Sequence, residues 1–208
     1  ALAAARSAIC EPRVNAIKAW IRRASIAGVR ERRVAIVETL KKDGFDLAVV
    51  NGGGTGSLDS TTPESGVTEV AAGSGLYKSH LFDHYRSAYM RELEPAAFFV
   101  LEVVRRPSET IVTCGGGGYV ASGAVGPDKA PIPWLPRGLS LLPMEMAGEV
   151  QTPLDTSHAG TLALGAPVVF RHAKAGELME RFAEVLLLQN ARIVQRVPTY
   201  RGSGHCFL

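Results

Sequence analysis

Hydrophobic positions recur at helical spacing over residues 14–42. Ile17, Ile21, Ala24 and Gly28 share one face, and Val29, Ile36 and Leu40 continue it, with arginines between them. Glu38 stands four residues before Lys42, the favourable order for an ion pair, and Asp43-Gly44 supplies the stop. The period then changes. Asp46-Leu47-Ala48-Val49-Val50 is a short continuous apolar run, the pattern of a parallel strand buried on both faces, and it empties into Asn51-Gly52-Gly53-Gly54-Thr55-Gly56-Ser57. A second short strand over 67–71 runs into Gly73-Ser74-Gly75, and an aromatic-rich stretch over 76–89 is expected to be helical. After Pro95 the pattern becomes short strands divided by glycine and proline, over 98–104, 110–113, 168–172, 185–188 and 192–197. Asn190-Ala191 fits a hairpin turn between the last two. These patterns predict an α/β part over 1–95 and a mostly β part over 96–208.

Composition narrows the class. The chain has 208 residues, 46% hydrophobic and 21% charged, enough apolar surface to bury a core, which excludes a disordered chain. The 22 glycines cluster and show no triplet repeat. A net charge of +3 is too small to argue nucleic-acid binding. Arg22, Arg23, Arg30, Arg32 and Arg33 spread over several helix faces with no interleaved aromatics. Three cysteines, Cys10, Cys114 and Cys206, are odd in number and far apart, so a disulfide framework is not expected. With no apolar run long enough for a membrane span and no signal-peptide pattern, a cytoplasmic protein without a membrane partner is expected.

The strongest chemical signal is Gly52-Gly53-Gly54-Thr55-Gly56 directly after a strand. Consecutive glycines let backbone N–H groups turn towards an anion, and Thr55 and Ser57 can add hydroxyl donors. The order fits neither a Walker loop nor a dinucleotide fingerprint. Gly73-Ser74-Gly75 repeats the arrangement, so the two loops together read as a phosphate cradle; the plainer alternative is a pair of permissive turns. Gly115 to Gly118 read as a tight corner between strands. Pro131-Ile132-Pro133-Trp134-Leu135-Pro136 is a stiff loop, and Glu145 and Glu149 flank a small-residue turn. His172 ends an apolar strand with Lys174 two residues on. A protonated lysine repels a cation, so this is a poor metal pair, and the adjacent His205-Cys206 is a weak one.

Taken in order, Val50-Asn51-Gly52-Gly53-Gly54-Thr55-Gly56, Thr68-Glu69-Val70-Ala71-Ala72-Gly73-Ser74, Gly148-Glu149-Val150-Gln151 and His172 resemble the D-threonine aldolase and D-serine dehydratase family, most of all its amino acid deaminase/aldolase branch. The resemblance runs from about Asn15 to the C-terminus. It implies a C-terminal part of a β/α (TIM-type, alanine-racemase-like) barrel followed by a mostly β domain. It also implies pyridoxal phosphate as cofactor, with Gly53, Gly54, Thr55, Gly73 and Ser74 around its phosphate, and a small amino-acid substrate. The family's Schiff-base lysine follows its first barrel strand. None of the six lysines here (Lys18, Lys41, Lys42, Lys78, Lys129, Lys174) stands in that context, so the chain is expected to be an inert portion of a longer lyase acting on β-hydroxy D-amino acids. Family members with a divalent metal carry a histidine and, two residues on, cysteine or aspartate. Here that pair is His172 and Lys174, and the family's Glu-Glu-His segment reads Glu149-Val150-Gln151, so no metal is expected. His172, Lys174 and Glu149 remain the catalytic candidates, with Lys174 a possible fixed cation in the metal's place. The full-length parent is open to homodimerisation. The competing class is a non-catalytic pyridoxal-phosphate or anion-binding module.

Overall fold

The computed structural model describes residues 12–85 and 87–205, the side chains from residue 16 onward. Cys10 and Cys206 lie outside them. The chain divides into two compact units, Ala1–Ala72 and Gly73–Leu208.

The first unit is dominated by helix α1 (Pro12–Lys42), with Lys41 and Lys42 in its last turn, where cations complement the helix dipole. Gly44 closes it at φ 88°, a conformation that favours glycine. Two strands follow, β1 (Asn51–Gly52) and β2 (Glu69–Val70), paired in parallel with Asn51 opposite Glu69 and Gly52 opposite Val70. Between them lies the short helix α2 (Leu58–Thr61). The apolar run 46–50 is not itself a strand, and Val49 is 61% exposed, which corrects the expectation of a doubly buried strand. A strand hidden on both faces needs a sheet with layers packed on either side, and here β1 and β2 form only a two-stranded pair among the described residues. Helix α1 shows the same deficit: Ile17, Trp20, Ile21 and Ile36 all lie exposed.

In the second unit the stretch 76–89 is not one helix. It breaks into α3 (Gly73–Leu76), a 3₁₀ turn (His80–Phe82) and α4 (Ala88–Glu92), because its backbone and side chains bond to the β sheet instead. This stretch belongs by its contacts to the same unit as the β strands. Those strands are β3 (Phe98–Arg105), β4 (Ile111–Gly115), β5 (Ile132–Leu135), β6 (Ser140–Leu141), β7 (Gln151–Asp155) and β8 (Pro167–Arg171). They form one antiparallel sheet in the order β5-β8-β3-β4-β7-β6. Its edge strands β5 and β6 come back against each other, so the sheet curls into a nearly closed barrel. Phe99, Val103, Val112, Cys114, Leu154, Val168 and Phe170 fill the interior, with Phe99 and Phe170 stacked at 5.2 Å. Helix α5 (Ala175–Met179) adds Leu178 to this core. The glycines at 115–118 do turn a tight corner: Gly116 and Gly117 have φ 70° and 112°, and a Cβ on Gly118 would lie 2.8 Å from the Glu149 nitrogen. A separate hairpin, β9 (Glu184–Gln189) with β10 (Arg192–Pro198), turns at Asn190 and Ala191, both at positive φ.

Candidate functional site

In the first unit the glycine loop is shaped by hydroxyls. The Gly54 N–H donates to Ser57 Oγ at 3.1 Å, and the Ser57 N–H returns to the Gly54 carbonyl at 3.0 Å. Gly53 sits at φ 74°, and a Cβ there would meet Thr61 Oγ1 at 2.9 Å, so this position excludes other residues both sterically and conformationally. Gly54 differs, for its Cβ would find only the Ala71 carbonyl, at 3.6 Å. Thr55 is buried. From α1, Arg33 lies against Gly52 and pairs with the buried Glu64, while Arg22 donates to Asp59 at 2.7 Å and to the Gly56 carbonyl. Two of the six arginines of α1, Arg22 and Arg33, are thus committed to the loop region.

In the second unit, chain segments far apart in sequence meet around His172, which is 2% exposed. Its Nδ1 lies 3.1 Å from the Ala97 carbonyl, which can only accept, so Nδ1 carries the proton. Nε2 is then the acceptor and takes the hydroxyl proton of Ser79 at 2.9 Å. Burial, opposed by the bond to Ala97 and reinforced by His80 and Arg171, pushes the imidazole down to about 4, so it is neutral at physiological pH. The next turn is fastened as well. The Ser79 N–H donates to the Ser74 carbonyl at 3.5 Å, while the Ser79 Oγ lies 3.2 Å from that carbonyl with its proton already given to His172, and the His80 N–H donates to the His172 carbonyl. Ser74 Oγ accepts the Ala175 N–H at 3.1 Å. The buried Arg171 clamps Asp83 with two bonds of 2.8 Å and donates to the Lys78 carbonyl, its guanidinium lying over Trp134. His80 is also buried and donates from Nε2 to the Ala130 carbonyl; desolvation lowers its pKa.

Lys174 follows His172 by two residues, at the N-cap of α5. Its Nζ donates to Ser122 Oγ at 2.9 Å, and the Ser122 N–H donates to Glu177 Oε1 at 2.8 Å. Burial raises the Glu177 carboxyl, but the Ser122 hydrogen bonds and Lys174 outweigh it and hold it below its usual range. The lysine and carboxylate are thereby bridged through a serine.

No protein-family model and no curated protein matches the sequence. Solved structures do. D-threonine aldolase from Filomicrobium marinum superposes with a TM-score of 0.70 at 18% identity, over 88% of this chain and 49% of that one. The fold is that of D-threonine aldolase. D-threo-3-hydroxyaspartate dehydratase from Delftia sp. HT23 is similar too, with a TM-score of 0.50 at 19% identity, over 85% of this chain and 51% of its own. The chain therefore spans about half the length of the structures it matches.

On this D-threonine aldolase fold the expected residues separate. Gly53, Gly54 and Thr55 belong to the first unit, whereas Gly73, Ser74, His172 and Lys174 belong to the second, where Ser74 and His172 are joined through Ser79. Glu149 is exposed, its backbone nitrogen 2.8 Å from where a Cβ on Gly118 would lie. Among the described residues no group of three metal-ligating side chains converges, and no helix is long and apolar enough to cross a membrane. Ser79, Ser122 and the Ala97 carbonyl escaped the sequence reading. Each is remote in sequence from its partner, and the one signal was a serine and a histidine inside an otherwise aromatic-rich stretch.

Proposed function

We propose that this chain supplies the phosphate-loop and β-domain half of a pyridoxal-phosphate-dependent lyase acting on β-hydroxy D-amino acids, by retro-aldol cleavage or by dehydration with deamination. The observation that carries this reading is the pair of glycine-hydroxyl loops on a fold shared with D-threonine aldolase. The residues present suit a phosphate. Ser57 Oγ accepts from Gly54 and Ser74 Oγ accepts from Ala175, which leaves each hydroxyl a proton to donate, and a Cβ on Gly73 would meet no heavy atom within 4 Å. Gly53, Gly54, Thr55, Gly73 and Ser74 are the proposed phosphate-binding residues. Bound there, pyridoxal phosphate would supply an electron sink for the substrate carbanion.

We assign none of the six lysines to the Schiff base, because none stands in the sequence context of the family's lysine. Lys78 donates to the Met90 carbonyl, Lys129 lies 3.8 Å from Asp128, Lys174 donates to Ser122, and Lys18, Lys41 and Lys42 are exposed on α1. This chain alone is accordingly proposed to bind the cofactor without turning substrate over. Titration of the chain with pyridoxal phosphate, followed by cofactor absorbance, tests the reading. Saturable binding is expected. Gly54→Ala, whose Cβ the fold accommodates, should weaken it by about tenfold by narrowing the approach to the backbone. Absence of binding, or equal affinity in the variant, overturns this assignment of the loop.

A further inference from the structure

We infer that His172 is a positioning residue that holds the Gly73-Ser74-Gly75 turn ready for an oxyanion, acting through Ser79. This rests on the reading above that Gly73 and Ser74 bind phosphate, and it gives His172 a task distinct from metal ligation or proton transfer. The turn is gripped at two points. Its Ser74 carbonyl takes the Ser79 N–H at 3.5 Å, the Ser79 hydroxyl proton being committed to His172, and its Ser74 Oγ takes the Ala175 N–H, one element beyond His172. Ser79 is itself fully buried, and its orientation is set by His172 Nε2 at 2.9 Å. The histidine is fixed from the other side of its ring by the Ala97 carbonyl, and its own carbonyl takes the His80 N–H.

This position needs a side chain that donates on one edge and accepts on the other while staying uncharged in a dry environment. Neutral imidazole does so; an ammonium has no acceptor and a carboxylate no donor. Both ring nitrogens are consumed by protein groups, so His172 touches no ligand and acts through the turn. The result is that Ser74 keeps its hydroxyl oxygen tied to Ala175 and directs its one proton elsewhere.

The test uses inorganic phosphate as probe, with calorimetry for affinity and amide hydrogen exchange for the turn. Ser79→Ala and Ser74→Ala should each weaken phosphate binding by about tenfold. The double variant should be no worse than either single one, because both act on the same turn. His172→Gln, which can still accept from Ser79, should retain more affinity than His172→Leu. Exchange at residues 74–76 should accelerate in Ser79→Ala while the Val112 and Leu154 amides stay protected, a pattern that general destabilisation would not give. Wild-type affinity in Ser79→Ala, additive losses in the double variant, or uniform acceleration of exchange would overturn the inference. If wild type binds no phosphate, the phosphate reading of the turn fails; the exchange arm then still decides whether Ser79 and His172 hold it. Should either His172 variant not fold, the Ser79 and Ser74 variants carry the test.

Discussion

His172 shows how burial sets the chemistry of one residue. A histidine free in solution takes up a proton near 6.5, but this one stays neutral down to about 4 because charging it would place a cation in a dry site beside Arg171. The unfolded chain therefore binds the proton first as pH falls, and stability present above 6.5 is lost progressively towards 4. That loss amounts to up to about 3 kcal/mol from His172, at about 1.4 kcal/mol per pH unit. His80, shifted in the same direction by burial, adds to it. Urea unfolding of the β-rich unit should accordingly show a lower midpoint at pH 5 than at pH 7, with a smaller difference in His172→Gln. Equal midpoints at the two pH values would mean that His172 is solvated. Cys114 obeys the same rule with opposite sign, its thiol pushed up to about 11 by burial, which makes it a core residue and an unreactive one.

At the scale of elements, the β9–β10 hairpin carries the clearest local conflict. Asn190 and Ala191 occupy the turn at φ 50° and 60°, which asparagine tolerates and alanine does not favour. Ala191→Gly should raise the stability of the hairpin by up to about 1 kcal/mol, seen as slower amide exchange along residues 184–198. No change would show that the turn relaxes to negative φ. The short helices of residues 73–92 make the complementary point. Their aromatic-rich sequence has helical character, yet Arg171, His172 and the Tyr77 carbonyl draw the backbone and side chains into cross-chain hydrogen bonds, with the Ala96 N–H donating to Tyr77. A continuous helix would forfeit those contacts.

For the whole chain, the balance between buried and exposed apolar surface is uneven. The β barrel hides its hydrophobic residues well: Leu154, Val168 and Phe170 have no accessible surface. In contrast, Trp20 at 65%, Phe45 at 60% and Val49 at 61% are open to solvent, as are Leu188 and Ile193 on the hairpin. Exposed apolar surface together with unpaired strand edges promotes association. The isolated chain should bind a hydrophobic dye and scatter light at micromolar concentration. A monodisperse species without dye binding would show that these faces fold against something within the chain.

Sequence alone determined the features that depend on near neighbours. The 3.6-residue rhythm and the Gly44 stop gave α1, short apolar runs between glycine and proline gave β3, β4, β8, β9 and β10, and Asn190-Ala191 gave the hairpin, because local sterics act over a few residues. Strands β5, β6 and β7 were not legible, and Ile132–Leu135, which reads as a stiff proline loop, is a strand because it pairs with β8. The ordered glycine motifs were likewise enough to suggest the fold that D-threonine aldolase shares. Only the tertiary structure decided burial and partnership. It placed Val49 in solvent, divided 76–89 into three pieces, and brought Ser79, Ala97 and His172 into one buried network. It also tied Lys174 to Glu177 through Ser122, some fifty residues away in the chain. The physical reason is desolvation. Whether an apolar run is hidden, or which acceptor a buried donor finds, depends on what packs against it from elsewhere in the chain, and no local pattern encodes that.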